Sequence, residues 1–320
     1  MKNWKTYFTP HLHKLNDLWF NNETGVVAGY YQSLDELLKL HLNESLAAQE
    51  AIILYRQGTD SEWCKVYSDQ GNILQLSYKT KEKFLYALGR KHSLDGQWKA
   101  FLLFSKNFGK NWIKLPKPPE NIEGINFAGN DVGYAWSIDQ VFRTTNGAQT
   151  WALCEKIPFK LNVHGPTIAT GTNNLFWYAN KSNLFVILPN GLVQKEILPT
   201  NFITKVMTID PNHNLWLLGK SEVDKKLHLL KRTDVNKFEL VASLSYFLPN
   251  QLYVGTTISV ITGTDLKNIP PAKNVMLRSK DGCKSWHSVS QFPEGTKVFF
   301  EDDAVIWQLG TMDRLQRLVN

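Results

Sequence analysis

Ser105-Lys106-Asn107-Phe108-Gly109-Lys110-Asn111-Trp112 returns with small changes as Thr144-Thr145-Asn146-Gly147-Ala148-Gln149-Thr150-Trp151 and again as Ser279-Lys280-Asp281-Gly282-Cys283-Lys284-Ser285-Trp286. Each copy carries Ser or Thr first, Asp or Asn third, a small residue fifth, a short polar residue seventh and Trp last. Recurrence of this kind is the sequence signature of a periodic architecture. The residue types are those of a tight turn. An Asp or Asn oxygen accepts backbone N–H bonds, a glycine position tolerates positive φ, and an indole packs between sheets. These duties are structural, so the phrase speaks to the fold before it speaks to function.

The spacing extends the pattern beyond the three clear copies. Trp63, Trp112, Trp151 and Trp286 lie 49, 39 and 135 residues apart, and the last gap is three steps of 45. Two repeats in that gap lack the tryptophan but keep a strand rhythm. One runs from Asn183 to Leu198 around the tight turn Leu188-Pro189-Asn190-Gly191, and the other from Lys226 to Leu244 with Phe238 at the tryptophan position. Asn-Gly between alternating apolar runs is a strong hairpin signal. Trp4, 59 residues before Trp63, brings the repeats to seven. The last of them, from Thr296, has only three strand-like runs: Val298-Phe299-Phe300, Ala304 to Gln308, and Leu315 to Leu318. Asn3 to Phe8 supplies the missing fourth strand, so that the first strand pairs with the last three and no sheet edge is left open. In the third repeat the four strands are predicted at Ile122 to Ala128 (a), Val132 to Ile138 (b), Gln140 to Thr144 (c) and Thr150 to Cys154 (d), with the repeated phrase as the c–d turn.

The eight-residue phrase resembles the Asp-box, S-x-D-x-G-x-T-W, of the bacterial neuraminidase repeat family. The resemblance implies a β-propeller, and with the seven repeats counted above the expectation is an all-β, seven-bladed propeller of four-stranded antiparallel blades, a single domain over residues 1–320. Sialidases, other glycosidases, sorting-receptor ectodomains and photosystem assembly factors share the box. The sialidase pattern is not met: the Phe-Arg-Ile-Pro segment of that family is missing. Its carboxylate-clamping arginines are also hard to supply, because Arg56, Arg143, Arg232, Arg278 and Arg317 end c strands at the rim. Only Arg90 and Arg314 remain free, and lysine does not reproduce the bidentate geometry. A non-sialidase member is expected.

Composition narrows the class further. With 43% hydrophobic and 20% charged residues and no apolar run near 18 residues, the chain can build a large core and has no helical bilayer span. Met1 to Thr6 is not followed by the apolar stretch of a secretory signal, so the bacterial cytoplasm is the expected location. Cys64, Cys154 and Cys283 are odd in number and scattered, which speaks against a disulfide framework or a zinc knuckle. The net charge of +7 comes from 29 lysines and 7 arginines without a run of five like charges. Such a diffuse surface suits solubility or an acidic protein partner better than nucleic acid, which is read by clustered cations and stacking aromatics.

If the boxes mark one face, the b–c and d–a connections open on the other, and the insertions fall there. Ser33-Leu34-Asp35-Glu36 reads as a capping box opening a helical insertion over about 33–50, with Leu34, Leu37, Leu38, Leu42 and Leu46 at helical spacing. The residues expected to contact a partner are Leu37 and His41 on this insertion and Arg90, Lys91, His92, Lys117, Lys160, Lys267 and Lys273 in the loops. For a glycan the aromatics to test are Trp98, Trp136 and Trp177, whose strand positions predict packing between blades. His11-x-His13 lacks further ligands, so no metal is expected, and no cofactor motif is present. A glycosidase would need two carboxylates about 5–10 Å apart. Nothing in the spacing of Asp95, Asp139, Asp265, Asp302 and Asp303 selects a pair. The expected function is a non-catalytic binding module, monomeric by itself, that takes another protein as partner. An inhibitor or immunity-type protein is the concrete version, and glycan binding or a non-sialidase glycosidase is the alternative.

Overall fold

The computed structural model describes residues 5–9, 14–21, 24–32, 49–58, 61–78, 83–93, 97–127, 131–156, 168–171, 174–180, 183–265, 273–289, 295–300, 305–310 and 314–319. Seven four-stranded antiparallel sheets are found among them. After β1 (Lys5–Phe8), blade one is β2 (Lys14–Asn21), β3 (Thr24–Tyr31), β4 (Glu50–Gln57) and β5 (Cys64–Gln70). Blade two is β6 (Asn72–Tyr78), β7 (Leu85–His92), β8 (Trp98–Ser105) and β9 (Ile113–Lys114). Blade three is β10 (Gly124–Phe127), β11 (Gly133–Trp136), β12 (Gln140–Thr144) and β13 (Ala152–Lys156), the predicted strands with their ends trimmed or shifted by a few residues. Blade four is β14 (Ile168–Thr170), β15 (Phe176–Asn180), β16 (Asn183–Ile187) and β17 (Val193–Ile197). Blade five is β18 (Phe202–Ile209), β19 (Leu215–Ser221), β20 (Leu227–Asp234) and β21 (Lys237–Leu244). Blade six is β22 (Leu248–Val254), β23 (Ser259–Asp265), β24 (Lys273–Ser279) and β25 (His287–Ser288). Blade seven is β26 (Gly295–Phe300), β27 (Val305–Gly310) and β28 (Arg314–Val319), and its outer strand is β1, with Lys5 opposite Arg317 and Phe8 opposite Arg314. The N-terminal strand thus completes the last blade as predicted; Trp4 itself lies outside the described residues, as do residues 33–48 of the helical insertion expected over about 33–50, while Glu50 opens β4.

The chain forms two compact units. In the first, Met1–Ala135 with Thr144–Ala152 and Gly295–Asn320, the core collects Leu18, Trp19, Phe20, Ile52, Ile53, Leu54 and Trp307. Phe20 stacks on Trp307 with ring centroids 3.8 Å apart, and the Arg56 guanidinium lies 4.8 Å from the Trp63 ring, a cation–π contact at the end of β4. In the second, Trp136–Arg143 with Leu153–Glu294, one cluster gathers Trp177, Leu215 and Leu217, and another gathers Trp216, Leu218, Ile261 and Cys283. Phe238 packs against the first of these, as its place in the repeat requires.

The repeated phrase folds the same way three times. The first-position hydroxyl accepts the N–H of the fifth residue: Gly109 to Ser105 at 2.9 Å, Ala148 to Thr144 at 3.0 Å and Cys283 to Ser279 at 3.0 Å. It donates to the Asn or Asp two residues on, at 3.0, 3.0 and 2.8 Å. The same oxygen of Asn107, Asn146 or Asp281 accepts the seventh-position N–H at 3.0 Å in every copy. Each net bond is worth about 1 kcal/mol, and together they close a turn that would otherwise bury unpaired donors. Trp112 and Trp286 add an indole N–H bond to the carbonyl of residue five, both at 2.9 Å, whereas Trp151 Nε1 is buried without a hydrogen-bond partner. One expectation is corrected: positive φ falls on two successive residues of each turn, not on a glycine alone. The pairs are Phe108 and Gly109, Gly147 and Ala148, and Gly282 and Cys283. The fifth residue is small because it is buried. A Cβ on Gly109 would meet Val26 Cγ2 at 2.5 Å.

The boxless blades use other chemistry. In blade four the Gly191 N–H returns to the Leu188 carbonyl at 2.8 Å, the turn expected from Pro-Asn-Gly. Between blades four and five Glu196, 2% exposed, is held by Arg232 through Nε at 2.9 and 3.1 Å and through Nη2 at 2.7 Å. The same guanidinium sits 4.9 Å from the Trp177 ring. Asn236, in the β20–β21 turn, accepts the Ile197 N–H at 2.6 Å and so occupies one donor on the outer strand of blade four.

A second repeat, not read from the sequence, lies in the register. The innermost strand carries a bulge in blades one, two, five, six and seven, each beside a glycine of the next strand: Gly29, Gly89, Gly219, Gly263 and Gly310. At Gly219 the reason is close approach, since a Cβ there would meet the Ile203 carbonyl oxygen at 2.5 Å. Among the described residues no helix is long and apolar enough to cross a membrane.

Candidate functional site

The β7–β8 hairpin outruns the apolar body of its blade. Leu85 to Gly89 and Phe101 to Leu103 are buried, Arg90 to His92 are half-buried, and Trp98 and Lys99 are exposed. Pairing nevertheless continues to the end: Lys91 stands opposite Lys99 and His92 opposite Trp98, and the Ser93 N–H donates to the Gln97 carbonyl at 2.9 Å. Strand alternation puts Arg90, His92 and Trp98 on one face of the ribbon and Lys91 and Lys99 on the other.

On the first face the His92 and Trp98 rings lie with centroids 3.5 Å apart, inclined at 40°. His92 Nδ1 is buried without a hydrogen-bond partner, while Trp98 remains 44% exposed. Packing between blades, expected of Trp98 from its strand position, is therefore corrected: residue 98 lies beyond the apolar run that begins at Phe101, flanked by Gln97 and Lys99, and stays largely open. That flanking was the legible signal. Trp136 and Trp177 do pack inside, at 5% and 3% exposure.

Arg90, expected to be free, is engaged. It donates to the Ile122 carbonyl at 3.0 Å and forms an ion pair with Glu123. These contacts tie the β9–β10 connection to the hairpin. On that connection Lys117 pairs with Glu120 at 2.7 Å, both well exposed, and this bond together with the field of Lys99 holds the Glu120 carboxyl below its usual range. Four of the residues predicted to meet a partner, Arg90, Lys91, His92 and Lys117, thus gather around one hairpin together with Trp98 and Lys99. Lys273 is placed only as the first residue of β24, opposite Asp265. Leu37, His41, Lys160 and Lys267 lie outside the described residues.

Of the candidate acid–base residues, two fall among the described residues, in different blades. Asp139 accepts from Ser137 Oγ at 3.2 Å in the β11–β12 turn, Asp265 ends β23 in another sheet, and Asp95, Asp302 and Asp303 lie outside the described residues. His11 and His13 also lie outside them, and among the described residues no cluster of three or more His, Cys, Asp or Glu could hold a metal ion. None of the three cysteines is in a disulfide: Cys64 is exposed, Cys154 half-buried and Cys283 buried. Burial raises the Cys283 pKa, which keeps that thiol inert.

Comparison with solved structures places these sheets. The chain is a seven-bladed β-propeller. It is similar to the β-propeller of the structure titled "YCF48 bound to D1 peptide", with a TM-score of 0.67 and 15% identity over 99% of this chain and 95% of that one. A chain of the mitotic checkpoint complex is similar at a TM-score of 0.65 and 9% identity, covering 99% and 91%. An uncharacterized protein of Listeria monocytogenes EGD-e is similar at 0.57 and 9%, covering 96% and 92%. At these identities the likeness is one of fold. No protein-family model matches the chain, and no curated protein matches it in sequence.

Proposed function

We propose that this propeller is a non-catalytic binding module of the Asp-box type, a single domain that captures another protein in the cytoplasm. Its foremost contact is the β7–β8 hairpin of blade two. The observation that carries the reading is Trp98: a large aromatic 44% exposed at the end of a paired ribbon, braced by His92 on the face that also carries the Arg90–Glu123 pair, with Lys91 and Lys99 on the ribbon's opposite face. A rigid aromatic anchor inside a polar rim is the anatomy of an interaction hot spot. Hairpins and loops displayed by a stiff scaffold are also where binding residues concentrate. The likeness to a propeller whose title names a bound peptide lends further support. The concrete version is an inhibitor or immunity-type protein that places this hairpin in a toxin or enzyme.

A photo-reactive residue at position 98 tests the proposal. It should cross-link in the native cell to one protein of defined mass, with a probe at Ile113, exposed on β9, as the control. A second reading, glycan binding or a non-sialidase glycosidase, also rests on Trp98, because an exposed indole beside polar groups can cover a sugar face. Binding on a glycan array, or turnover of chromogenic glycosides, that is lost in Trp98→Ala would replace the first reading with the second.

A further inference from the structure

The outer strand of blade two is shorter than the strand it borders. β8 runs over the 8 residues Trp98–Ser105, whereas β9 pairs only with Leu103 and Phe104, and one further bond takes the Leu115 N–H to the Leu102 carbonyl at 2.9 Å. That bond fixes which backbone groups point outward. In an antiparallel strand the N–H and C=O of one residue lie on the same edge and those of the next on the other, so Leu102, Ala100 and Trp98 face out while Phe101 and Lys99 face β7. The Gln97 carbonyl, which accepts the Ser93 N–H across the hairpin, keeps the same alternation. Among the described residues no backbone hydrogen bond reaches the outward N–H or carbonyl of Ala100 or Trp98. The chain's own continuation is poorly suited to supply one. Pro116, Pro118 and Pro119 follow Leu115, and proline has no N–H to add to a ladder.

Resting on the proposed binding role, we infer that the partner protein contributes an extended segment that adds to this edge as a short strand, in line with β9 and antiparallel to β8. The occupant follows from the backbone. N–H and C=O groups that alternate along a strand edge are met in step only by another extended chain. Side chains of the added strand alternate between the two faces of the sheet, so the residue opposite Trp98 lies on the face of the indole. A β-branched or aromatic residue there makes a favourable cross-strand pair with it. The outward groups of Ala100 and Trp98 supply main-chain affinity, and the position opposite Trp98 supplies the selectivity.

Hydrogen exchange on the full chain tests the edge before any partner is added. The Trp98 and Ala100 amides should exchange about tenfold faster or more than those of Lys99 and Phe101, which face β7. The probe for binding is a capped peptide, Thr-Val-Thr-Tyr-Thr-Val-Thr, which should slow exchange at Ala100 and Trp98. A methyl group on the Tyr nitrogen, whose N–H faces β8 when Tyr lies opposite Trp98, should weaken binding about tenfold or more, while one on the neighbouring Thr nitrogen should not. Ala100→Pro removes an outward N–H and no bond to β7, so the fold should persist while peptide binding and the cross-link at position 98 weaken.

Exchange at Ala100 as slow as at Phe101 in the chain alone overturns the inference, because the edge would then be closed. So does equal binding of the two methylated peptides. Protection that grows with protein concentration and needs no peptide would make the occupant a second copy of this chain, which also overturns it. A cross-link to another protein that survives Ala100→Pro and brings no protection at Ala100 would sink strand addition but leave the binding role standing. If neither a cross-link nor peptide binding is seen, both fall.

Discussion

Blade two has one closed end and one open end. At the β8–β9 end, Ser105 to Trp112 leaves none of these groups open: the Ser105 hydroxyl, the Asn107 oxygen and the Trp112 indole each have a partner inside the turn, and the Phe108 N–H donates to the Lys83 carbonyl at 2.9 Å. At the β7–β8 end the ribbon carries on past its core, leaves Trp98 uncovered and sets Lys91 against Lys99. The same four strands support both. A turn that meets all its own demands stabilises the fold and has nothing left for a partner. A ribbon with exposed aromatic surface and opposed charges adds little to stability and keeps its chemistry for contact.

The largest effect should come from a closed site that uses no box. Glu196→Ala leaves the Arg232 guanidinium without its carboxylate beside Trp177. Removing one partner of a buried pair costs about 3–5 kcal/mol, read from urea unfolding, whereas replacing both by apolar residues of similar volume should restore much of the loss. Next, Gly109→Ala should destabilise by about 2–4 kcal/mol chiefly through the clash with Val26, since Ala148 shows that alanine can hold the positive φ of this site. A double-mutant cycle with Val26→Ala should show strong coupling. Ser105→Ala removes the acceptor of the Gly109 N–H, a change worth about 1–3 kcal/mol by thermal unfolding.

Acid should sort the boxes by their third residue. Asp281 is held well below the ordinary carboxylate range, first by the Ser285 hydroxyl and then by the Ser285 N–H. A lowered folded pKa stabilises the turn above the unfolded carboxylate value near pH 4 and loses that contribution as pH falls through the folded value. Asn107 and Asn146 do not titrate. Hydrogen exchange in acid should therefore quicken at Cys283 and Ser285 but not at Gly109 and Asn111, and Asp281→Asn should abolish the difference. The smallest effect on stability belongs to the open end. Trp98→Ala should stay within about 0.5 kcal/mol in urea unfolding while partner capture is lost. A large loss of stability there would erase the contrast between the two ends.

Much of this was legible in the chain because it is local. The box is eight consecutive residues whose side-chain bonds from the first, third and last positions stay within the turn, so spacing alone located β8–β9, β12–β13 and β24–β25. The hairpin around Asn190-Gly191 was likewise written in turn chemistry. The bulge-facing glycines were in plain view as Ala87-Leu88-Gly89, Leu217-Leu218-Gly219 and Ile261-Thr262-Gly263. They were not read because an isolated glycine in a strand has several causes, and only the register across the sheet selects one. The tryptophans were read by type and strand position, which serves Trp136 and Trp177 and fails Trp98. Burial is decided by what lies across the strand, and the polar flanks Gln97 and Lys99 gave only a local hint of it.

The sequence by itself determined that this is an all-β chain of seven blades closed through its first strand, because repeat length, turn residues and strand rhythm are properties of short stretches. Tertiary structure alone decided which cations are engaged and which aromatic is exposed. Arg90 is used by Ile122 and Glu123, 32 and 33 positions away, and Glu196 is buried only because Arg232 arrives from the next blade. Charge and burial depend on distance through space, and along this chain that distance is set by the pairing of strands.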